Sequence, residues 1–383
     1  MNVKTYHIVG AGILVSLLFS GLLYPHLAES IGTSVSTDGH DRLGASVAAG
    51  NGLAFWPSTN ATVLRGPIFP MIVASGYGIG GSEHATFVIR LIQSLVHGTT
   101  VLFAILLCRK LGNRDRAKRL PTKKSDSLSR AEIATGLIVG LHPFLLWYSS
   151  RIVLESTSTL VMTGLLFTTL LLLEQTGRKT KNALALGILI GLAALTKGVY
   201  LLFLLLIPIA LVLFSKASTA RDRSWRSGLT VTLAAVMVIA PWTVRNAFVS
   251  DRFVPVHILV GVNLAGGDHL TEELTDSPFA YGPIIDRFEY PLLDGQPFDM
   301  MTNTATRTVD YDRSLMVRSV DRYRDHPLFL AKKMSLQLLT FWALGSRLEI
   351  TLVLGLLQSV LLFGAMAGFV AIRRDEGWRA VRL

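Results

Sequence analysis

Residues 86–108 read TFVIRLIQSLVHGTTVLFAILLC, and residues 109–130 continue as RKLGNRDRAKRLPTKKSDSLSR. The first stretch is long and apolar enough to cross a bilayer core of about 30 Å as a helix. The second stretch holds nine Lys and Arg residues. An apolar span followed by a basic loop is typical of a membrane helix that ends in the cytoplasm. This pair of segments therefore predicts a membrane protein and the orientation of one span.

The same length criterion predicts about eight transmembrane helices in the 383 residues. They are expected near 6–25, 86–108, 132–149, 153–174, 182–197, 198–215, 228–248 and 349–372. Two weaker segments, 67–80 and 327–344, carry prolines, glycines or lysines and are expected to lie at the membrane interface. We therefore expect an all-α integral membrane protein that forms a single polytopic domain over residues 1–383.

Composition and charge agree with that fold class. Half of the residues are hydrophobic and only 16% are charged, although the formal net charge is +11. A soluble domain of this length needs more charged surface. The basic residues lie in short loops, so no nucleic-acid partner is expected. The single cysteine, Cys108, excludes an intrachain disulfide framework and a multi-cysteine metal cluster.

The basic loops predict the orientation of the whole chain. The segments expected in the cytoplasm are 109–130, 175–181, 216–227 and the C-terminal RRDEGWRAVR. The N-terminus is then cytoplasmic as well. Two long loops, about 26–85 and 249–348, are expected on the outer face.

Two acidic residues lie at the start of the first outer loop. Asp38 and Asp41 belong to TDGHDRLGASVAAGNGLAF, residues 37–55, in which a helix is predicted near 43–49 and ends at Gly50. A carboxylate at a membrane surface can act as a general base on a substrate drawn from water or lipid. In the alternative interpretation, Asp38 is a helix N-cap and Asp41 is a solvated surface residue.

Further polar residues lie at the outer ends of apolar runs. Placing the charged side chain of Glu155 at that depth costs free energy, so the residue is expected to be functional or to pair with Arg151. The Lys197 side chain either extends to the membrane–water interface or binds an anionic lipid headgroup. Arg245 is suited to bind a phosphate through two hydrogen bonds. Turn-forming residues with backbone amides open to a substrate are expected at Asn263, Gly266 and Gly267.

Four motifs occur in one order along the chain. They are ASVAAGNGL at 45–53, RGPIFP at 65–70, a Glu at the start of a span after YSSR at 148–151, and PWTVRN…RFVPV…GVNL at 241–264. This set resembles the polytopic glycosyltransferases of the C superfamily. The bacterial family 39-like members related to protein O-mannosyltransferases and lipid A aminoarabinose transferases are the most similar. The resemblance covers roughly residues 1–265.

The resemblance implies a sugar donor carried on a polyprenyl phosphate and a lipid, glycan or protein acceptor. The leaving group is already a phosphate anion, so the reaction needs one base and a set of cations. Asp38 is the expected base, Asp41 is the alternative, and Glu155 orients the acceptor or the base. The expected phosphate ligands are Arg65, Lys197 and Arg245, and the expected substrate-binding side chains are Tyr200, Asn246, His257 and Asn263. No metal ligand is assigned, although a divalent metal is compatible with the family.

Two other functions stay open. One is a transporter or flippase of a lipid-linked or anionic substrate, and the other is a non-catalytic assembly subunit with the same fold. Transporters commonly show repeat symmetry and broken spans near the bilayer midplane. Here no internal repeat is visible and the polar residues gather at one face. This pattern favours an enzyme. The resemblance implies an inverting hexosyl- or pentosyltransferase of the plasma (inner) membrane, with its active site on the outer, periplasmic face.

Overall fold

The computed structural model describes residues 4–31, 39–56, 59–116, 128–173, 179–213, 218–276 and 299–343, together with residues 356, 359, 360 and 363. Every regular element within these residues is a helix, as the apolar patterning predicts. The chain divides into two compact units, Met1–His257 and Ile258–Leu383.

The described elements of the first unit are all helices. Its α-helices are α1 Thr5–Leu18, α2 Tyr24–Ile31, α3 His40–Ala48, α4 Ile68–Arg116, α5 Arg130–Gly140, α6 Pro143–Ser149, α7 Glu155–Leu173, α8 Lys179–Thr196, α9 Phe203–Leu213 and α10 Ser218–Ser250. A π-helical turn, Phe19–Leu23, joins α1 to α2, and a 3-10 helix, Gly198–Leu202, joins α8 to α9.

Several of these helices have the length and apolar character of membrane spans. The four described helices that meet both criteria are Thr5–Glu29, Ile68–Gly112, Glu155–Leu173 and Trp225–Ser250. The pair Arg130–Gly140 and Pro143–Ser149, bent by 50°, makes a fifth if it forms one span. The spans predicted at 182–197 and 198–215 correspond to shorter apolar helices, Thr180–Thr196 and Gly198–Leu211. The chain is thus a membrane protein with four or five of the eight expected spans in its described part, and the span predicted at 349–372 lies almost entirely outside that part.

Gly81 divides α4 into two helical parts. Its φ of 62° and ψ of −173° lie in a region that only glycine adopts without strain. The first part corresponds to the predicted interfacial segment 67–80, and the second contains the predicted span 86–108. The boundary between the two predicted segments is therefore a backbone kink.

Small residues bring helices of the first unit into close contact. A Cβ on Gly187 of α8 would lie 2.4 Å from the carbonyl oxygen of Val231 in α10. A Cβ on Gly191, one turn further along α8, would lie 2.6 Å from the Cβ of Val238. Glycines four residues apart allow two membrane helices to approach through their backbones. This contact holds the middle parts of α8 and α10 side by side.

The second unit is built around a buried ion pair. Its described helices are α11 Val260–Asp276, α12 Ala305–Asp325 and α13 Pro327–Ala343. Lys333 of α13 places its Nζ 2.6 Å from Oδ1 of Asp268 in α11. Ser319 and Tyr323 of α12 donate hydrogen bonds of 2.8 and 2.6 Å to the same carboxylate. The three helices therefore share one satisfied polar network, and α13 coincides with the predicted interfacial segment 327–344.

Candidate functional site

Helix α3 carries the first candidate acid. The residue that precedes the helix is Gly39, with a φ of 71°, so the alternative in which Asp38 is the N-cap is wrong. The helix ends at Ala48 and Gly50 follows with a φ of 80°, as predicted from the glycine. Asp41 lies in the first turn, where a negative charge is favourable at the amino end of a helix. Asp38 itself lies outside the described residues.

Asp41 faces α4 and is only half exposed. A Cβ on Gly44 would lie 2.3 Å from Cγ1 of Val73, so α3 packs closely on α4 at this point. Asp41 lies one turn from Gly44 in α3, and Tyr77 lies one turn from Val73 in α4. The charge of Asp41 acts electrostatically on the hydroxyl of Tyr77. Asp41 is therefore partly buried, whereas the alternative interpretation had it as a solvated surface residue.

His40 is a buried imidazole that the sequence motifs did not single out. Its side chain is 1% exposed, and its ring meets that of Phe69 edge to face with centroids 5.0 Å apart. Neither ring nitrogen has a hydrogen-bond partner within the described part of the chain. Burial, together with the charges of Arg65 and His257, lowers the pKa of His40 to about 3. The ring is therefore neutral at physiological pH.

The pKa of His40 predicts a loss of stability in acid. An unfolded histidine titrates near 6.5, so the unfolded chain binds one more proton than the folded chain between about pH 3 and about pH 6.5. Stability contributed by neutral His40 is lost as the pH falls through that window. The melting temperature in detergent should therefore fall less between about pH 7.5 and about pH 5 in His40→Leu than in the wild type. His84→Leu, which replaces an exposed histidine, is the control. Equal pH sensitivity of His40→Leu and wild type would contradict the assignment.

The segment that carries Arg65 is held from two sides. Arg245 Nη1 of α10 donates a 2.7 Å hydrogen bond to the carbonyl oxygen of Thr62. Gly66 lies against the end of α8, because a Cβ there would come within 2.1 Å of the carbonyl oxygen of Leu195. Any larger residue at position 66 would push the segment away from α8. Arg65 is thus fixed next to the end of α8.

Lys197 follows that end directly. Its backbone is extended, with a φ of −145°, and its side chain is exposed. The next residue, Gly198, donates its backbone N–H to Nε2 of His257 over 2.8 Å. His257 and Arg65 both act electrostatically on His40. Two predicted site residues, Arg65 and His257, therefore lie near His40, and a third, Lys197, precedes the glycine that binds His257.

Arg245 and Asn246 hold the loop that leads to His257. Asn246 is fully buried, and its amide donates to the carbonyl oxygens of Val254 and Val256 over 3.1 and 2.7 Å. Its Oδ1 accepts a 3.0 Å hydrogen bond from Arg245. The Arg245 guanidinium also lies 4.6 Å from the ring centroid of Trp242. Both predicted site residues therefore make positioning contacts within the chain.

The rest of the PWTVRN…RFVPV motif serves the same purpose. Trp242 Nε1 donates to the carbonyl oxygen of Val256 over 2.8 Å, and Thr243 Oγ1 donates to that of Pro255 over 2.7 Å. Side chains on one face of α10 thus bind consecutive carbonyls of the strand-like stretch before His257. The hydrogen bonds of this motif therefore hold the residues that precede His257 in position.

Glu155 and Tyr200 lie on neighbouring elements. Glu155 is the first residue of α7, and Ser158 follows in the same turn. The hydroxyl oxygens of Ser158 and Tyr200 are 2.6 Å apart, and Tyr200 also donates to the Ser158 carbonyl. Because Arg151 precedes α7, it does not share a helical face with Glu155. The start of α7 is therefore tied to the 3-10 helix that begins next to Lys197.

The turn predicted at Asn263, Gly266 and Gly267 is wrong, because these residues lie inside α11 of the second unit. The Asn263 N–H is bonded to the carbonyl of Leu259 over 2.9 Å, and the Asn263 side chain is exposed. The glycines serve packing instead. A Cβ on Gly261 would lie 1.7 Å from the Asp312 carbonyl oxygen, and one on Gly267 would lie 2.4 Å from Nε2 of Gln337.

The described residues offer no group of three His, Cys, Asp or Glu side chains suited to a metal ion. The cationic and histidine side chains around His40 are instead suited to a phosphate. Comparisons with protein-family models, with curated proteins and with solved structures return no match. The function is therefore inferred from the residues of this chain and their geometry.

Proposed function

We propose that this chain is a membrane glycosyltransferase that moves a sugar from a polyprenyl phosphate to an acceptor on the outer face of the membrane. The observation that carries the proposal is that Arg65 and His257 lie near His40, in the acidic first turn of α3, and that Lys197 adjoins the glycine bonded to His257. The site lies at the ends of α8 and α10 opposite the basic residues of those helices, such as Lys181 and Arg226. Basic ends are cytoplasmic, so the site faces outward.

The cations stabilise the leaving group. When the bond between the anomeric carbon and the phosphate oxygen breaks, its electron pair remains on the polyprenyl phosphate. Arg65 is held in place by the contacts of Thr62 and Gly66, and Lys197 extends from the adjoining end of α8. Fixed positive charges placed where negative charge develops lower the barrier without needing to reorganise. Arg245 contributes by anchoring Thr62.

An acid of the first outer loop takes the proton of the acceptor. The acceptor hydroxyl or amine loses its proton to Asp38, or to Asp41 in the alternative, as it bonds to the anomeric carbon. A single displacement of this kind inverts the anomeric centre. Glu155 and Tyr200 lie on elements that meet next to Lys197 and would orient the acceptor. The neutral ring of His40 is buried against Phe69, next to Arg65 and His257.

We expect one sugar to be lost from the cell's glycans or lipids when this protein is absent. A strain that lacks the gene should lose one glycosyl group from its lipids, glycans or proteins, and the wild-type gene should restore it. Mass spectrometry of lipid and glycan extracts measures the change. Identical extracts from both strains would contradict the proposal.

The outward location is tested separately by cysteine labelling. After Cys108 is replaced by serine, single cysteines near residues 40 and 290 should react with a membrane-impermeant maleimide in intact cells, and one near residue 120 should not. Residues 109–130 are expected to be cytoplasmic because nine Lys and Arg lie there. Labelling near residue 120 in intact cells would reverse the orientation.

A further inference from the structure

A second cationic cluster lies in the first unit, where α2 begins. The Arg90 guanidinium lies 5.1 Å from the ring centroid of Tyr24, and Arg90 Nε donates a 3.1 Å hydrogen bond to the carbonyl oxygen of Ser150. The Arg151 guanidinium lies 5.9 Å from the ring centroid of Trp147. The rings of Tyr24 and Trp147 are themselves 5.2 Å apart. Two arginines thus cover a pair of packed aromatic rings.

The backbone around Tyr24 is shaped to bury its ring. The π-helical turn Phe19–Leu23 immediately precedes Tyr24, whose side chain is 1% exposed. Within that turn, Ser20 Oγ lies 2.7 Å from Ser150 Oγ, which fixes the turn against the residue that also binds Arg90. π-Helical turns interrupt α-helices at functional sites more often than elsewhere. The turn therefore places the Tyr24 ring beneath Arg90.

Arg90 is a cation within a membrane span. It belongs to the helix Ile68–Gly112, and no carboxylate within the described residues forms an ion pair with it. An arginine in a span is costly, and such residues commonly mark the path or binding site of a ligand. The 19 positions between Arg90 and Arg109 correspond to about 28 Å of helix, so Arg90 lies at the membrane edge opposite the basic loop. That edge is where lipid phosphates lie.

The residues beside the cluster are suited to a lipid chain. Leu23, which precedes Tyr24, is 56% exposed, and Phe87, one turn before Arg90, is 65% exposed. Leu91 is exposed as well. Large apolar side chains exposed on membrane spans face the acyl chains of lipids. A ligand with a phosphate at Arg90 and an apolar tail along these side chains satisfies both features.

This cluster is separate from the site around His40. Phe69, whose ring contacts His40, belongs to a buried apolar group that also contains Ile89 and Ile152. These two isoleucines are the chain neighbours of Arg90 and Arg151. The side chain next to each of these arginines thus packs into the apolar group under His40, whereas the arginines themselves contact Tyr24 and Trp147.

We propose that Arg90 binds the phosphate of a membrane lipid, with the charge of Arg151 beside it, at a site distinct from the one assigned to the sugar donor. Arginine binds phosphate oxygens through two parallel hydrogen bonds, and the aromatic faces below hold the guanidinium plane in position. The inference concerns binding alone and does not depend on the proposed sugar transfer.

Native mass spectrometry of the full chain in detergent tests this site. The protein is titrated with phosphatidylglycerol, with diacylglycerol of the same chains, and with inorganic phosphate. We expect wild type to bind phosphatidylglycerol in preference to diacylglycerol. Arg90→Gln should weaken that binding about tenfold, the loss of one charge-assisted contact. Arg90→Lys should fall between the two, because lysine keeps the charge without the planar fork.

Arg226→Gln is the matched control, since Arg226 is an exposed arginine at the cytoplasmic end of a span. It should bind phosphatidylglycerol as wild type does. If Arg90→Gln elutes as aggregate, the comparison rests on Arg90→Lys. Affinity within twofold of wild type in the folded Arg90 variant, or equal binding of diacylglycerol by wild type, would overturn the proposal. Binding of inorganic phosphate that displaces the lipid would assign free phosphate as the ligand and overturn the lipid assignment.

Discussion

Arg65→Ala is expected to lower the rate of sugar transfer by about 10²–10³-fold, the usual effect of removing one fixed group that stabilises a developing negative charge. The expectation follows from how firmly the segment is held. Arg245 binds the Thr62 carbonyl, and Gly66 packs against the carbonyl of Leu195. The lost charge therefore cannot be replaced by a small shift of the chain. Arg65→Lys should retain part of the rate, because lysine keeps the charge but not the planar geometry.

The measurement is turnover of a labelled lipid-linked sugar by purified protein. Arg313→Ala, which removes an exposed arginine of α12, is the control and should keep the wild-type rate. Donor binding is measured on the same samples, so that lost affinity and lost turnover are told apart. A wild-type rate in Arg65→Ala would remove Arg65 from the phosphate site.

Asp38→Asn is expected to lower the rate by about 10²–10⁴-fold, the usual contribution of a general base. Asparagine has the size of aspartate but cannot accept the proton. Asp38 lies two residues before His40, the residue around which Arg65 and His257 meet. Asp41→Asn should have a smaller effect, because Asp41 lies about one helical turn further along the chain and can be solvated. Both variants should still insert and bind donor.

Three outcomes separate the assignments of the two acids. A dead Asp38→Asn with an active Asp41→Asn supports the proposed base. The reverse result moves the role to Asp41. Full activity in both variants contradicts a base in this loop and favours the assembly-subunit interpretation.

Features that depend on local residue chemistry were predicted correctly. Helix α3 ends just before Gly50, which adopts a positive φ, and the junction between two apolar helices falls at Lys197. Strong apolar runs gave helices at Thr5–Glu29, Glu155–Leu173 and Trp225–Ser250. Each of these follows from the conformational freedom of one residue or from the apolar character of one segment.

Features that depend on packing between distant segments were not predicted. Glycines near Asn263 suggested a turn, but Gly261 and Gly267 are small so that α12 and α13 can approach α11. His40 gives no sequence signal, because its role arises only when Phe69 covers its ring and Arg65 and His257 approach it. The side chains of Arg245 and Asn246, two residues of one motif, also bind each other and backbone carbonyls of the chain.

The central claim is that this chain breaks the bond between a sugar and a polyprenyl phosphate. The most direct measurement reconstitutes the purified protein in vesicles with a polyprenyl-phosphate donor carrying a labelled sugar, and follows both products. We expect polyprenyl phosphate to appear in equal amount to the sugar that leaves the lipid, and Asp38→Asn or Arg65→Ala to suppress both. An intact donor that only moves between the leaflets would contradict the account and identify a transporter.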